Sequence, residues 1–255
     1  MNESVKVSVV TACYNSAKTI GSTIQSVNAQ SYANIEQVFI DGGSTDDTLN
    51  VISASARKNH SVLSESDNGI YDALNKGVQR ATGDVVGFLH ADDFYTDDSV
   101  VKRIADCFSR AEVQAVYGDL QYVSQSDTDK VIRTWNTKPF SPGRLKRGWM
   151  PPHPTLYVRK EWYERIGGFD TQYRIAADYL SILQLFRHPD FEAVYLPQVL
   201  VKMRVGGASN RSLKNIIQKS REDYGVLKRA GVGGLGTVMC KNMRKVGQFG
   251  VKLVR

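Results

Sequence analysis

Apolar runs of about four to eight residues alternate with amphipathic stretches along the first half of the chain. VKVSVVTACY, IEQVFI, SVLSES and VVGFL read as short strands. Between and after them lie residues 17–30, a segment starting near Thr45, IYDALNKGVQRAT and SVVKRIADCFSR. These carry apolar positions three and four apart, the period of a helix with one buried face. AVYGDLQYV follows as a further strand. Strands alternating with helices predict an α/β fold, a mostly parallel sheet flanked by helices on both faces.

In such a sheet, ligands sit beyond the carboxyl ends of the strands. The polar residues collect there. The first strand ends in Thr11-Ala12-Cys13-Tyr14-Asn15 and the second in Asp41-Gly42-Gly43-Ser44. The third leads into Glu65-Ser66-Asp67-Asn68-Gly69, and the fourth ends on Asp92-Asp93. An isolated loop aspartate is usually a turn former or a helix cap. Acids and amides at four matching strand ends suit a ribose, a base or a divalent cation instead.

The turn after the first strand, TACYNSAKT, has no GxGxxG, and no GxxxxGK[ST] occurs in the chain. A dinucleotide fold and a P-loop are therefore excluded. A core within 255 residues, 42% of them apolar, needs no disulfide staples. Cys13, Cys107 and Cys240 lack CxxC spacing, which fits a reducing compartment rather than a zinc site. The start MNESVKVSVV has no secretory pattern, and no apolar run approaches the roughly 20 residues of a membrane span. A cytoplasmic protein, peripheral on the inner face of the inner membrane, is expected.

The stretch VSVVTACYNSAKTIGSTIQSVNAQSYANIEQVFIDGGSTDDT resembles the opening of family 2 glycosyltransferases, which have the GT-A fold. ESDNGIYDALNKGVQRATGDVVGFLHADD continues the resemblance, and HPTLYVRKEWYERIGGFDTQYRIAADYLSILQLF is similar to the acceptor half. The match spans about residues 5–205. Its form is similar to that of bacterial enzymes of O-antigen, capsule and exopolysaccharide synthesis. The resemblance implies a GT-A catalytic domain over 1–210. Its nucleotide-sugar half is 1–120 and its acceptor half 121–210. It also implies an inverting transferase that moves a sugar from a nucleotide-diphosphate donor, by preference a UDP-sugar, to a glycan or polyprenyl-linked sugar.

The same resemblance distributes roles. Asp93 would ligate Mn²⁺ or Mg²⁺, with Asp92 at the ribose or the metal shell. Hard cations of this kind need only one or two protein carboxylates beside the diphosphate. Asp41 would accept from the donor base; its alternative is to shape the Gly-Gly-Ser turn. Thr11, Ala12, Tyr14 and Asn15 would line the base-binding edge. Asp67 lies near base or ribose, or closes an Asx turn. Asp178, after the Gly167-Gly168-Phe169-Asp170 turn, would be the general base, with Asp170 structural. Many relatives carry an acidic pair there, whereas this chain has Ala177-Asp178. Leu74 replaces an arginine common in the family, with Lys76 as its substitute. His153 and Arg204 complete the candidate pocket, and Val205 to Ser209 reads as a lid or a plain connector.

Charge changes the picture at the C-terminus. Residues 200–255 hold 13 Lys and Arg against two acids, whereas the rest of the chain is acidic. No RRM, KH or C₂H₂ signature accompanies the basic tail, so nucleic acid is not the expected partner. After Gly231-Val232-Gly233-Gly234, read as a flexible joint, LGTVMCKNMRKVGQFGVKLVR has helical period within a basic extension, 211–255. Leu235, Val238, Met239, Met243, Val246, Phe249 and Leu253 form one face; Lys241, Arg244, Lys245, Lys252 and Arg255 form the other. Such a helix suits an anionic membrane surface, or packing on the catalytic domain or on a second subunit of a homodimer. A non-catalytic GT-A-fold partner in a polysaccharide assembly complex is the competing functional reading, and the intact Asp41, Asp92-Asp93 and Asp178 set argues against it.

Overall fold

The computed structural model describes residues 4–205 and 213–247. Its centre is a mixed sheet with the parallel strands β3 (His60–Ser64), β2 (Ile35–Asp41), β1 (Val7–Cys13) and β4 (Val85–Phe88) side by side in that order. β1 runs in register with β2 from Val7 opposite Ile35 to Cys13 opposite Asp41, which brings both carboxyl ends to one level. Every residue of β1, β2 and β4 is buried. This explains the near-continuous apolar runs, since a sheet covered on both faces has no solvent side.

The helices cover those faces. α1 (Ile20–Asn28) buries Ile20, Thr23, Ile24 and Val27, the three–four spacing legible in the sequence. α2 (Thr48–Ser55) lies beside it, and α3 (Ile70–Arg80) buries Tyr71, Leu74 and Val78. α4 (Val100–Cys107) is started by Asp97, whose carboxylate accepts the Ser99 N–H at 2.9 Å and pairs with Arg103 at 2.9 Å. Asp92 and Asp93 are thus free of any capping duty.

One boundary differs from the sequence reading. β4 ends at Phe88, and Asp93 does not close it but opens a separate strand, β5 (Asp93–Tyr95). β5 pairs antiparallel with β9 (Glu192–Arg204), Asp93 opposite Met203, at the far edge of the sheet. β6 (Val113–Val123) and β8 (Tyr157–Arg159) bridge β4 to β9, and β7 (Val131–Trp135) pairs with β6 outside this path.

Beyond the sheet lie the short α5 (Pro142–Leu145) and α6 (Lys160–Arg165), then α7 (Ala177–Arg187). α8 (Leu213–Arg229) and α9 (Leu235–Gly247) share the main core, to which they add Val226, Leu227 and Val238, and the link between them adds Ala230 and Val232. Two sequence expectations change here. Gly231 begins no loose joint: its N–H bonds to the Lys228 carbonyl and that of Val232 to the Leu227 carbonyl, a fixed helix stop. The face of α9 that meets the protein is also rotated. Val238 and Lys241 are buried, while Leu235, Met239 and Met243 are about two-thirds exposed. Phe249, Leu253, Lys252 and Arg255 lie outside the described residues, as do Gly206 to Ser209 of the expected lid.

Candidate active site

The carboxyl ends of β1 and β2 are tied into one rim. Asn15 adopts φ 48°, a left-handed conformation that asparagine tolerates. Its N–H donates to Ser44 Oγ at 2.8 Å, and its Oδ1 accepts the Thr45 N–H at 2.9 Å. Tyr14 stands 62% exposed on this rim. Thr11 and Ala12 lie inside β1, and their side chains are buried, so of the four expected base-edge residues only Tyr14 and Asn15 meet solvent. A Cβ on Gly42 would stand 2.6 Å from Asp67 Oδ2 and 3.5 Å from the Tyr14 ring. Tyr14, Gly42 and Asp67 therefore close round one small cradle.

Asp41 is fully buried and busy. Its carboxylate accepts from the Ser44 N–H at 3.0 Å, the Ser64 hydroxyl at 2.7 Å, the Gly43 N–H at 3.2 Å and the Ser44 hydroxyl. Burial raises its pKa, but the Ser44 and Ser64 bonds outweigh that and hold it below the ordinary aspartate value. Asp67 Oδ1 accepts the Gly69 N–H at 2.9 Å, an Asx turn, which leaves Oδ2 facing the cradle. Lys76 sits between Glu65 at 2.8 Å and Asp72 at 3.4 Å, and Leu74 is buried in the core.

The HADD turn is asymmetric. Asp92 is half-buried, whereas Asp93 is 0% exposed and neither of its carboxylate oxygens has a hydrogen-bond partner. Burial pushes the Asp93 pKa well above the aspartate range; the neighbouring Asp92 charge adds to this and Arg204 opposes it. Arg204, at the end of β9, donates from Nη1 to the Asp92 carbonyl at 2.7 Å and lies 4.6 Å over the Phe94 ring. The pairing of β9 with β5 thus delivers a cation to the acidic turn.

The opposite wall begins at the Gly-Gly-Phe-Asp turn. Gly168 has φ 74°, and a Cβ there would stand 2.5 Å from Asn75 Oδ1. Asn75 of α3 bonds both backbone groups of Phe169, its Nδ2 to the carbonyl and its Oδ1 from the N–H, each at 2.8 Å. Asp170 accepts the Gln172 N–H and pairs with Arg229 of α8 at 2.6 Å, a structural role. Asp178 then falls in the first turn of α7, half-buried. Its Oδ1 accepts the Tyr179 N–H at 2.7 Å and lies 3.1 Å from the Tyr71 hydroxyl.

An aromatic block floors the space between the walls. His153 stacks on Phe88 at 5.0 Å, meets Phe169 edge-on and lies 6.4 Å from the His90 ring. His153 Nε2 and His90 Nδ1 are buried without hydrogen-bond partners. Burial pushes His153 down to about 4 against the opposing field of Asp178, so its imidazole is neutral near pH 7. Burial lowers His90 as well, with Asp92 and Asp178 opposing. The structure thus brings Asp92, Asp93, His153, Asp178 and Arg204 into one neighbourhood round His90: Asp92 and Asp178 both act on His90, Asp178 on His153, and Arg204 on Asp93. Lys76 stays with the acids beside Asp67.

Sequence reasoning passed over Tyr71, Asn75 and His90. Tyr71 and Asn75 stand four residues apart on one face of α3, the visible trace of a shared target. Among the described residues, no three His, Cys, Asp or Glu side chains form a ready metal cage.

A sheet of this order, with acids at the carboxyl ends and an acid opening a helix across the gap, is that of a GT-A glycosyltransferase. The sequence profile of glycosyl transferase family 2 matches residues 8–169, and the chain belongs to that family. It is 32% identical over 190 residues to an uncharacterized glycosyltransferase of Mycobacterium tuberculosis, covering 72% of this chain and 70% of the other. A PGL/p-HBAD biosynthesis glycosyltransferase of Mycobacterium bovis is 28% identical over 211 residues, 80% and 78% of the two chains. In fold, it is similar to the mannosyltransferase of Pyrobaculum calidifontis in complex with GDP-Man and Mn²⁺, with TM-score 0.66 and 18% identity, covering 94% and 70%. Residues 1–349 of Staphylococcus aureus TarS in complex with UDP-GlcNAc give TM-score 0.67 and 18% identity, covering 89% and 66%. The chain spans 39% of the longer TarS chain. The protein is accordingly a family 2 glycosyltransferase.

Proposed function

We propose that this chain is an inverting, metal-dependent transferase. It moves a sugar from a nucleotide-diphosphate donor, by preference a UDP-sugar, to a glycan or polyprenyl-linked sugar in bacterial surface polysaccharide synthesis. The observation that carries this reading is Asp178: one half-buried carboxylate fixed by Tyr71 and its own helix, across the floor of His153 and Phe88 from the Asp92 turn. A direct displacement needs one base and no nucleophile pair. The donor nucleotide would lie against Tyr14, Gly42 and Asp67, with its diphosphate toward Asp92 and Arg204.

The residues present fit a divalent cation. Asp92 has the solvent-reachable carboxylate, and the unbonded oxygens of Asp93 lie behind it. We therefore give direct ligation by Mn²⁺ or Mg²⁺ to Asp92 and a supporting place to Asp93, the reverse of the order implied by resemblance. When bound, such an ion neutralises charge on the departing diphosphate. Asp41, held by Ser44 and Ser64, is given the shaping of the base cradle. The mannosyltransferase neighbour, in complex with GDP-Man and Mn²⁺, supports the class of donor and metal.

α9 supports a peripheral membrane location. Leu235, Met239 and Met243, spaced four apart, form an exposed apolar stripe, and Arg244 is exposed beside them. Among the described residues no helix is long and apolar enough to cross a membrane.

The test is a panel of UDP- and GDP-sugars screened for Mn²⁺-dependent binding and slow donor hydrolysis. At least one donor is expected to bind only with the metal. A panel bound equally well in excess EDTA contradicts metal dependence, and no binding at all contradicts the reading. With the acceptor in hand, the product's anomeric coupling constant by NMR is expected to show inversion.

A further inference from the structure

Two consecutive acids of α8 reach toward the helix that carries Asp178. Glu222 Oε2 accepts the Ile175 N–H at 2.8 Å and the Ala176 N–H at 3.1 Å. Its other oxygen accepts from Gln218 Nε2 at 2.9 Å, which fixes the carboxylate's plane. These N–H groups belong to the segment entering α7, where helix geometry leaves donors without internal acceptors and a negative group is favoured. α7 has no side-chain cap of its own: the residue before it is Ala176. A carboxylate 46 residues away in sequence from Ala176 does that work.

The carbonyl of Ile175 is held as well, 2.7 Å from the Tyr71 hydroxyl that also faces Asp178. Both backbone groups of Ile175 are therefore fixed from outside, three residues before Asp178.

Asp223 works on the other side. It is 1% exposed and pairs with Lys241 Nζ of α9 at 2.7 Å. That ammonium lies 3.3 Å over the ring of Tyr179, the residue after Asp178. The backbone of Lys241 in turn closes on Gly148, which has φ 70°; a Cβ there would stand 2.8 Å from the Lys241 nitrogen. A buried ion pair of this kind adds little net stability, but it specifies a geometry where both charges are satisfied.

We propose that Glu222 is a positioning residue for catalysis, holding the backbone at Ile175 and Ala176 so that Asp178 meets the acceptor hydroxyl in register. The Asp223–Lys241 pair braces Tyr179 from the opposite side, which makes α8 and α9 part of the catalytic device. The inference rests on the reading of Asp178 as the base. Small displacements of a catalytic group cost rate far more than binding.

The test is a double-mutant cycle of Glu222→Ala and Asp178→Asn. Turnover is measured with the sugar nucleotide selected by the panel above, and binding with UDP or GDP alone. Glu222→Ala is expected to lower kcat about 10- to 100-fold while donor KM and nucleotide Kd stay within about 2-fold. Glu222→Gln, whose carbonyl still accepts, is expected to stay within about 5-fold of the native kcat. In the Asp178→Asn background, Glu222→Ala is expected to cause no further loss. If Glu222→Ala does not purify folded, Glu222→Asp, with the carboxylate drawn back by one methylene, takes its place in the cycle. Native kcat in the Glu222 variant, a rise in KM alone, or a loss that multiplies fully onto Asp178→Asn each overturns the proposal. Native turnover of Asp178→Asn by itself overturns the base assignment instead.

Discussion

Asn75 and Phe169 bond each other twice, side-chain amide to backbone N–H and carbonyl, each at 2.8 Å. The pair joins α3, which packs against β1 and β2, to the turn that leads into α7. It is a part-buried joint across 94 residues of sequence. The carboxamide of Asn75 carries its donor and its acceptor on separate atoms of one short planar group, which lets it meet the Phe169 carbonyl and N–H together.

Asn75→Ala leaves both backbone groups of Phe169 short of a partner. The expected loss is roughly 1–3 kcal/mol of unfolding free energy. Urea denaturation followed by circular dichroism measures it; an unchanged midpoint would show that the joint carries no stability.

The two acids of HADD are expected to separate in their effects. Asp92→Asn is expected to abolish Mn²⁺-dependent donor binding while leaving the thermal midpoint near native. Asp93→Asn removes a buried, unpartnered carboxyl whose pKa burial already raises, so it is expected to keep or raise stability. Calorimetric titration of donor with and without Mn²⁺ distinguishes them. Donor binding lost in Asp93→Asn but retained in Asp92→Asn would return direct ligation to Asp93.

His153 makes a signed prediction in pH. Its folded pKa, about 4, lies below the 6.5 of a free histidine, so the unfolded chain binds more protons between these values. Without divalent metal, stability is expected to be full above about pH 6.5 and to fall as pH drops toward 4, by on the order of 2–3 kcal/mol from this residue. His90 is shifted in the same direction, so His153→Gln is expected to flatten this slope without abolishing it. Equal slopes in both proteins would contradict a neutral buried His153.

The apolar stripe of α9 predicts membrane binding. Sedimentation with anionic vesicles at low salt is expected to pull down the native protein. Replacing Leu235, Met239 and Met243 together by Glu is expected to reduce binding about tenfold or more, since each exposed apolar side chain contributes roughly 1–2 kcal/mol when buried. Equal binding of the two proteins would exclude this stripe.

The sequence and the structure agree where local period decides. Strands β1, β2 and β4 and helices α1 and α3 were legible because burial on two faces and on one face leave different spacings. Asp93 was not legible, because a three-residue strand pairing with β9 has no period to read, and that pairing seals its carboxylate. Tyr71, Asn75 and Glu222 act through contacts 46 to 107 residues distant, which local pattern cannot carry. On α9 the apolar count pointed to one stripe, but the protein buries its neighbour. Lys241 goes inward because Asp223 and the Tyr179 ring receive its charge while its stem packs like a hydrocarbon.

The most direct measurement is the kinetics of Asp178→Asn, with kcat determined beside the Kd of the bare nucleotide. Asparagine keeps the shape of the side chain and cannot take the acceptor proton. The kcat is expected to fall by about two to four orders of magnitude with nucleotide Kd unchanged. A variant that turns over at the native rate, or one that loses nucleotide binding without a separate defect in turnover, would contradict it.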